Sequence, residues 1–216
     1  MSAPAPSAGP LWAVIPVKPL HSSKSRLAHL LSPTARADLI HRFLQHTLAL
    51  LTALPDVAGV LVVSRDPAVL ALAAAHGAVA CPEPAPHGLN TAVSHAVQSA
   101  TRAGAARVLV LPADLPFVQP DDLTRLLAAA AAPPAVVICP DRHEQGTNAL
   151  LLAPPAGFRF QYGPGSFRQH LAEAARLSAA TAVVHIPGLQ FDLDTEADWH
   201  VYLSQAATSQ APTARP

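Results

Sequence analysis

The sequence predicts an α/β domain built as a three-layer sandwich around a mostly parallel sheet. Short apolar runs alternate with helical stretches along the chain, which is the order of a parallel sheet with crossover helices. The runs are continuously apolar rather than alternating, as expected of strands buried on both faces. The length of 216 residues, 50% of them hydrophobic, suits one domain with a sizeable core.

Each element has a local reason. Leu11 to Val17 is an apolar run ended by Pro16 and Pro19, hence a first buried strand. Ser32-Pro33-Thr34 starts a helix, because proline suits a first turn and apolar residues recur from Leu39 through Leu51. Val60 to Val63 is a second strand, and Pro67 to Ala75 a helix ended by a turn at Gly77. Val79 to Cys81 is a third strand, and Leu89 to Ala103 a helix with Gly104 as its C-cap. Val108 to Leu111 and Val136 to Cys139 are further strands, separated by a helix over Asp121 to Ala132. After Pro140, strands are expected at Ala149 to Leu152 and Val183 to Ile186. A helix from Ser166 to Leu177, with Ser166 as N-cap, lies between them. Thr195-Glu196-Ala197-Asp198 resembles a capping box and opens the last helix. The Ala/Pro/Ser-rich ends, residues 1–10 and 204–216, read as disordered tails around a folded domain over 11–203.

Composition narrows the function. Formal net charge is +0, so no bulk field draws the protein to nucleic acid or anionic lipid. No apolar run approaches the ~20 residues of a membrane helix, and the start lacks a signal peptide's cationic and apolar regions. Cys81 and Cys139 each close an apolar run and read as small core residues rather than a disulfide. These features predict a soluble, cytoplasmic protein. The sequence is compatible with a homodimer without requiring one.

The segment Leu109-Val110-Leu111-Pro112-Ala113-Asp114-Leu115-Pro116 delivers one acid at the end of a buried strand, where open α/β sheets bind ligands. A carboxylate in such apolar company needs a partner, and a divalent cation such as Mg²⁺ carrying a phosphorylated ligand fits. After the first strand come Lys18, Lys24 and Arg26, and these two lysines are the chain's entire complement. Three cations in one short loop can neutralise a triphosphate, although neither a dinucleotide fingerprint nor a P-loop is present. In Pro86-His87-Gly88-Leu89-Asn90, Gly88 permits a tight backbone. Asn90 can read a base or ribose hydroxyl, or serve as an ordinary N-cap. Gly146-Thr147-Asn148 runs into a strand with both polar side chains aimed at the crevice. Gly163-Pro164-Gly165-Ser166 makes an anion nest before a helix, with Pro164 lacking one of its N–H groups. Asp192 and Asp194, two apart, face one side of an extended chain and repel unless a cation lies between them.

Together IPVKPLHSSKSRLA, GLNTAV, LPADLP, PDRHEQGTNALLL, FQYGPGSFRQHLAEA and FDLDTEAD resemble the 2-phospho-L-lactate / phosphoenolpyruvate guanylyltransferases of coenzyme F420 biosynthesis, the CofC/FbiD family. The match runs in order from Leu11 to about Leu203. The resemblance implies a single-domain, MobA-like nucleotide-diphospho-sugar transferase fold of Rossmann-like type. It implies an enzyme that joins GTP to a three-carbon phosphoacid and releases pyrophosphate. By motif, Asp114, Asp192 and Asp194 would hold Mg²⁺, and Thr147, Gly163 and Ser166 the phosphoacid. Lys18, Lys24, Gly88 and Asn90 would hold the nucleotide, with Lys18, Lys24, Arg26 and Asp114 serving catalysis. Phosphoenolpyruvate, 2-phospholactate and 3-phospho-D-glycerate remain open as acceptors. So do a molybdenum-cofactor guanylyltransferase and a non-catalytic nucleotide-binding module.

Overall fold

The computed structural model describes residues 9–20 and 24–209, so the expectations for the first eight and last seven residues lie outside it. Among the described residues, β1 (Leu11–Pro16), β2 (Val57–Ser64), β3 (Val79–Pro82), β4 (Arg107–Val110), β5 (Ala135–Pro140), β6 (Thr147–Ala153) and β7 (Ala180–Val183) form one sheet. Its order is β3-β2-β1-β4-β6-β5-β7. Every pairing is parallel except the two made by β6, which runs antiparallel to β4 and β5. The chain moves outward from β1 to β2 and β3, then returns to place β4 on the other side of β1. The boundary between β1 and β4 is therefore the switch point at which such sheets open a ligand crevice. Because β6 is reversed, its first residues, Thr147 and Asn148, arrive at the same end as the carboxyl ends of β1 and β4.

Helices cover both faces. On one side Leu11, Ala13 and Ile15 of β1 pack against α1 (Pro33–Ala53), α2 (Pro67–Ala75) and α4 (Pro120–Ala128). On the other, Val14 packs against α3 (Leu89–Arg102) and α5 (Ser166–Arg176). Helix α1 begins as expected: the Ser32 hydroxyl accepts the Ala35 N–H at 3.1 Å, and Pro33 takes the first position. Helix α3 presents Ala92, Val93, Ala96, Val97 and Ala100 to the sheet, a stripe of small side chains at helical spacing. A short helix α6 (Pro187–Gln190) leads through Phe191–Asp194 into the final helix α7 (Glu196–Ser209). Phe191 and Leu193 pack with Leu27, Leu39 and Phe43, which pins this last extended piece against α1. The expected capping box forms: Thr195 Oγ1 accepts the Asp198 N–H at 3.3 Å, and Asp198 Oδ2 accepts the Thr195 N–H at 2.7 Å.

Four expectations are corrected. Strand β7 spans Ala180–Val183 rather than Val183 to Ile186. It is an edge strand paired only with β5, so it needs few apolar residues, and Ile186 is buried instead as the cap of α6. Helix α4 begins one residue earlier, at Pro120, with Gln119 N–H held by Asp122, and it stops at Ala128 because Ala129–Ala132 bring no larger side chain to the core. Helix α5 is capped by Gly165 in the left-handed conformation (φ 74°), which makes Ser166 its first residue rather than its cap. Helix α7 continues to Ser209, past the domain boundary expected at Leu203. Cys81 and Cys139 are free and buried, as read. Among the described residues no helix is long and apolar enough to cross a membrane.

Gly188 lets α6 lie against the loop before α4. A Cβ there would overlap the Asp122 carboxylate and come within 2.9 Å of the Phe117 carbonyl oxygen. Gly188→Ala should therefore lower stability by about 1–3 kcal/mol, the cost of overpacking a tight contact. Urea unfolding of the two proteins measures it, and equal stabilities would show that the contact relaxes freely.

Candidate active site

A cavity of ≈510 Å³ opens at the carboxyl ends of β1, β2 and β4. Lys18, Lys24, Gly88, Asp114, Thr147, Asp192 and Asp194 all line it, so seven of the residues singled out in the sequence share one space. Arg26 is exposed on a single 3-10 turn (Ser25–Leu27) and is not among the lining residues. Asn90, Gly163 and Ser166 also lie outside the lining.

The cluster around Lys24 dominates the site. Lys24 Nζ donates to Asp114 Oδ2 at 2.7 Å and to Asp194 Oδ1 at 2.8 Å. Its side chain is 5% exposed, against 29% and 45% for the two acids. Burial alone would push the ammonium downward, but the two carboxylates more than offset this and hold its pKa above the usual lysine value. Lys24 reaches the position from a left-handed backbone (φ 51°). Asp192 and Asp194 face the cavity from alternate positions, with Leu193 buried between them in the opposite direction. The Asp192 carboxyl is pushed up by burial and then by the charges of Asp114 and Asp194, and Asn148 Nδ2 lies 3.5 Å from its Oδ1.

Two carboxylates thus grip one ammonium, and a third, Asp192, lines the same cavity without reaching it. Among the described residues no three acidic or histidine side chains converge as a ready-made metal cage. The donor set nevertheless suits a hard divalent cation. It consists of carboxylate oxygens, two of them already gathered on a cationic atom, with negative charge left over.

Neighbouring residues hold these acids in place. Leu193 N–H donates to the Asp114 carbonyl at 3.2 Å, joining the two acid-bearing segments. Asp198 Oδ2 accepts the Asp194 N–H at 2.9 Å while its other oxygen accepts from Arg142. The Arg142 guanidinium also lies 4.4 Å over the Phe191 ring. Asp141 shapes the turn before β6 by accepting N–H groups from His143, Gln145 and Gly146. A Cβ on Gly146 would sit 2.8 Å from Asp141 Oδ2, so this turn needs glycine.

The wall formed by β6 and α5 is polar and buried. Thr147 Oγ1 lies 3.0 Å from His170 Nδ1 and accepts from Ser166 Oγ at 3.5 Å. The anion nest expected at Gly163–Ser166 is partly closed, because Ser166 N–H donates to the Gly163 carbonyl and Phe167 N–H to the Gln145 carbonyl. Asn90 is not the cap of α3; Gly88 is, and the Asn90 amide pairs with both backbone groups of Tyr162, at 2.6 and 3.1 Å. At the far end of the cavity, Glu83 Oε1 accepts the Gly88 N–H at 2.8 Å, and Arg65 adds a cation at the end of β2. The sequence reading missed Arg65, Glu83, Arg142 and Asp198. Arg65 sits one residue past an apolar strand, which was the one available signal.

The fold, with its cavity at the strand ends, is the α/β fold shared by solved nucleotidyltransferases. A nucleotidyl transferase from Methanothermobacter thermautotrophicus superposes with a TM-score of 0.66 at 14% identity, over 93% of this chain and 99% of that one. A Desulfovibrio desulfuricans protein described as a candidate nucleotide-diphospho-sugar transferase gives 0.72 at 17% identity, over 94% and 89%. Likeness at these identities speaks for the fold alone. Within that class, the chain belongs to the CofC-like guanylyl transferase family, whose model matches residues 11–205. It is 43% identical over 188 residues to a phosphoenolpyruvate guanylyltransferase of Rubrobacter xylanophilus, covering 87% of this chain and 91% of the relative. A protein of the same name from Sphaerobacter thermophilus is 40% identical over 186 residues, covering 86% and 89%.

Two predictions follow from this geometry. Lys24→Met leaves Asp114 and Asp194 facing each other without their counter-ion. It should lower stability by about 1–3 kcal/mol in metal-free buffer, less than a fully buried pair would lose because both acids are partly wet. Mg²⁺ should return part of that loss, read as a shift in thermal midpoint larger than that of the unsubstituted protein. The second prediction concerns His170, whose pKa burial pushes down from 6.5 to about 4. The unfolded chain then binds the proton first, so stability is full above about pH 6.5 and is lost as pH falls toward 4. The loss is on the order of 3 kcal/mol over that window. Glu173 and Asp198, both held below the usual carboxylate range, add a loss at low pH that any His170 variant shares. His170→Asn should flatten only the His170 part of a urea-stability profile, and an unchanged profile would exclude it as the titrating group.

Proposed function

We propose that this chain is a cytoplasmic enzyme of coenzyme F420 biosynthesis that transfers the guanylyl group of GTP to phosphoenolpyruvate and releases pyrophosphate. The observation that carries the reading is the meeting, in one cavity, of the acids Asp114, Asp192 and Asp194 with the hydroxyl and amide side chains of Thr147 and Asn148. The names of the relatives support guanylyl transfer and this acceptor.

Two polyanions must be brought together, and their repulsion is the main barrier. A phosphate oxygen of the acceptor attacks the α-phosphorus of GTP, the new P–O bond forms as the bond to the β-phosphate bridging oxygen breaks, and pyrophosphate leaves. The acceptor oxygen is already anionic, so no general base is needed. Lys18 and Arg65, at the ends of β1 and β2, are placed to neutralise the triphosphate. Thr147 and Asn148 orient the acceptor from the β6 side. Asp114, Asp192 and Asp194 would hold Mg²⁺, which when bound supplies positive charge that both phosphate groups share. Lys24, held between Asp114 and Asp194 on the cavity wall, would add a further positive charge beside the phosphates. Glu83 and the Gly88 backbone lie at the end left for the base.

The test uses the full chain with GTP, Mg²⁺ and each of phosphoenolpyruvate, 2-phospho-L-lactate and 3-phospho-D-glycerate. Pyrophosphate release and the mass of the product are read together. Phosphoenolpyruvate should give the guanosine-diphosphate-linked acid, and Asp114→Asn should lower its rate by roughly 10²-fold or more without unfolding the protein. Absence of product with all three acceptors overturns the reading, and a faster reaction with another acceptor reassigns the substrate.

A further inference from the structure

His170 is fully buried at the second turn of α5, and none of the chemistry above uses it. Its Nε2 receives the backbone N–H of Gln161 at 3.0 Å. A backbone amide can only donate, so Nε2 carries no proton and Nδ1 must carry the one proton of the neutral ring. Nδ1 lies 3.0 Å from Thr147 Oγ1 and therefore donates to it. Ser166 Oγ donates toward the same oxygen at 3.5 Å. A hydroxyl oxygen has two lone pairs, and both are now met from the core side. What Thr147 has left to offer is its own proton, and Thr147 stands on the cavity wall. A flipped ring would forfeit both of its hydrogen bonds. Tyr162 packs edge-on at 4.8 Å, and Phe158 lies 5.6 Å away. Glu173, one turn further on, is occupied by Arg176 and the Arg159 N–H rather than by the imidazole.

We infer that His170 is a positioning residue that locks the Thr147 hydroxyl into service as a hydrogen-bond donor, so that this point of the cavity selects an anionic oxygen. An oxygen of a phosphate or carboxylate accepts such a proton, and the bond is strengthened by its charge. A ligand hydroxyl or amine presented there would meet a donor with its own donor. The inference rests on the phosphoacid reading for its substrate, but the direction of the hydrogen bond does not.

Thr147→Val, His170→Phe, His170→Asn and the Thr147→Val/His170→Phe pair are compared for the KM of phosphoenolpyruvate and of GTP. His170→Phe should raise the phosphoenolpyruvate KM about 10-fold, the scale of one hydrogen bond to a charged group, while the GTP KM stays within about twofold. His170→Asn, which can place an amide N–H near the lost Nδ1, should restore most of it. In the Thr147→Val background His170→Phe should add little, since the hydroxyl it aims is gone. Equal rises in both KM values, or multiplying effects in the double variant, would overturn the inference. The unsubstituted protein offers a second reading that survives misfolded variants and an inactive enzyme. Imidazole ¹⁵N shifts should report the Nδ1–H tautomer, and inorganic phosphate should perturb the Thr147 hydroxyl-bearing residue and bind more weakly to Thr147→Val. An Nε2–H tautomer overturns the inference. Absence of turnover with the expected tautomer and phosphate response overturns only the phosphoacid reading.

Discussion

The ion pair made twice by Lys24 organises this end of the molecule. Its ammonium joins Asp114, 90 residues away in sequence, to Asp194, 170 away. Three segments therefore converge on one atom: the loop after β1, the loop after β4, and the extended piece before α7. None is a regular element at the point of contact, and each would otherwise carry an isolated charge into a half-buried site. The pairing settles the polar end of the cavity, and the apolar contacts of Phe191 and Leu193 hold the segment that delivers Asp194. Asp198 and Arg142 complete the arrangement from behind, by fixing the Asp194 backbone and the Phe191 ring. Among the described residues no cationic side chain is paired with Asp192, so negative charge is left over beside the Lys24 pair.

Reversal of one strand supplies the other half of the site. In a wholly parallel sheet the start of every strand lies at the closed end, far from the crevice. Strand β6 breaks that rule, and it does so through a six-residue turn that Asp141 holds together. Thr147 and Asn148 thus reach the open end on the first two residues of a fully buried strand, where rigid backbone positions them better than a loop would. The same turn brings the Gln145 carbonyl to Phe167 N–H, which ties the β5–β6 connection to the start of α5.

The parallel sheet was legible because burial on both faces leaves a continuous apolar signature, seen in β1, β2 and β4. The reversal of β6 was not, since Ala149–Leu152 is apolar whichever way it runs. Strand β7 was displaced by three residues because an edge strand needs little hydrophobicity and so writes little into the sequence. For the site, Asp114, Asp192 and Asp194 stood out as acids in apolar company. Lys24 stood out as a cation but was assigned to phosphate, because the sequence cannot show which side chain meets which across 90 residues. Ser166 was read as a cap on the general preference for serine there. The left-handed Gly165 took that role and freed the serine for the core. Arg142, Asp198 and His170 belong to the site only through the bonds they make, and such partners appear only once the chain is folded.

The two halves of the cavity therefore work by different physics. Around Lys24 the control is Coulombic: charges are exchanged, partly in water, and their balance shifts with salt and with any cation present. Around Thr147 the control is directional. Its hydroxyl can give or receive a hydrogen bond in isolation, and only the dry neighbourhood of α5 removes one option. That neighbourhood must stay uncharged, because a second proton on His170 would strip the Gln161 N–H of its acceptor and bury a cation among Phe158, Tyr162 and Thr147. The Gln161 N–H on Nε2 gives the Thr147 proton its direction, and burial of the ring, which holds its pKa well below neutrality, keeps that nitrogen free to accept. Charge can draw two anions into the cavity, but charge alone does not distinguish one phosphate from another. A donor whose polarity is set from the core can hold one of them by a particular oxygen, and an in-line displacement requires that placement.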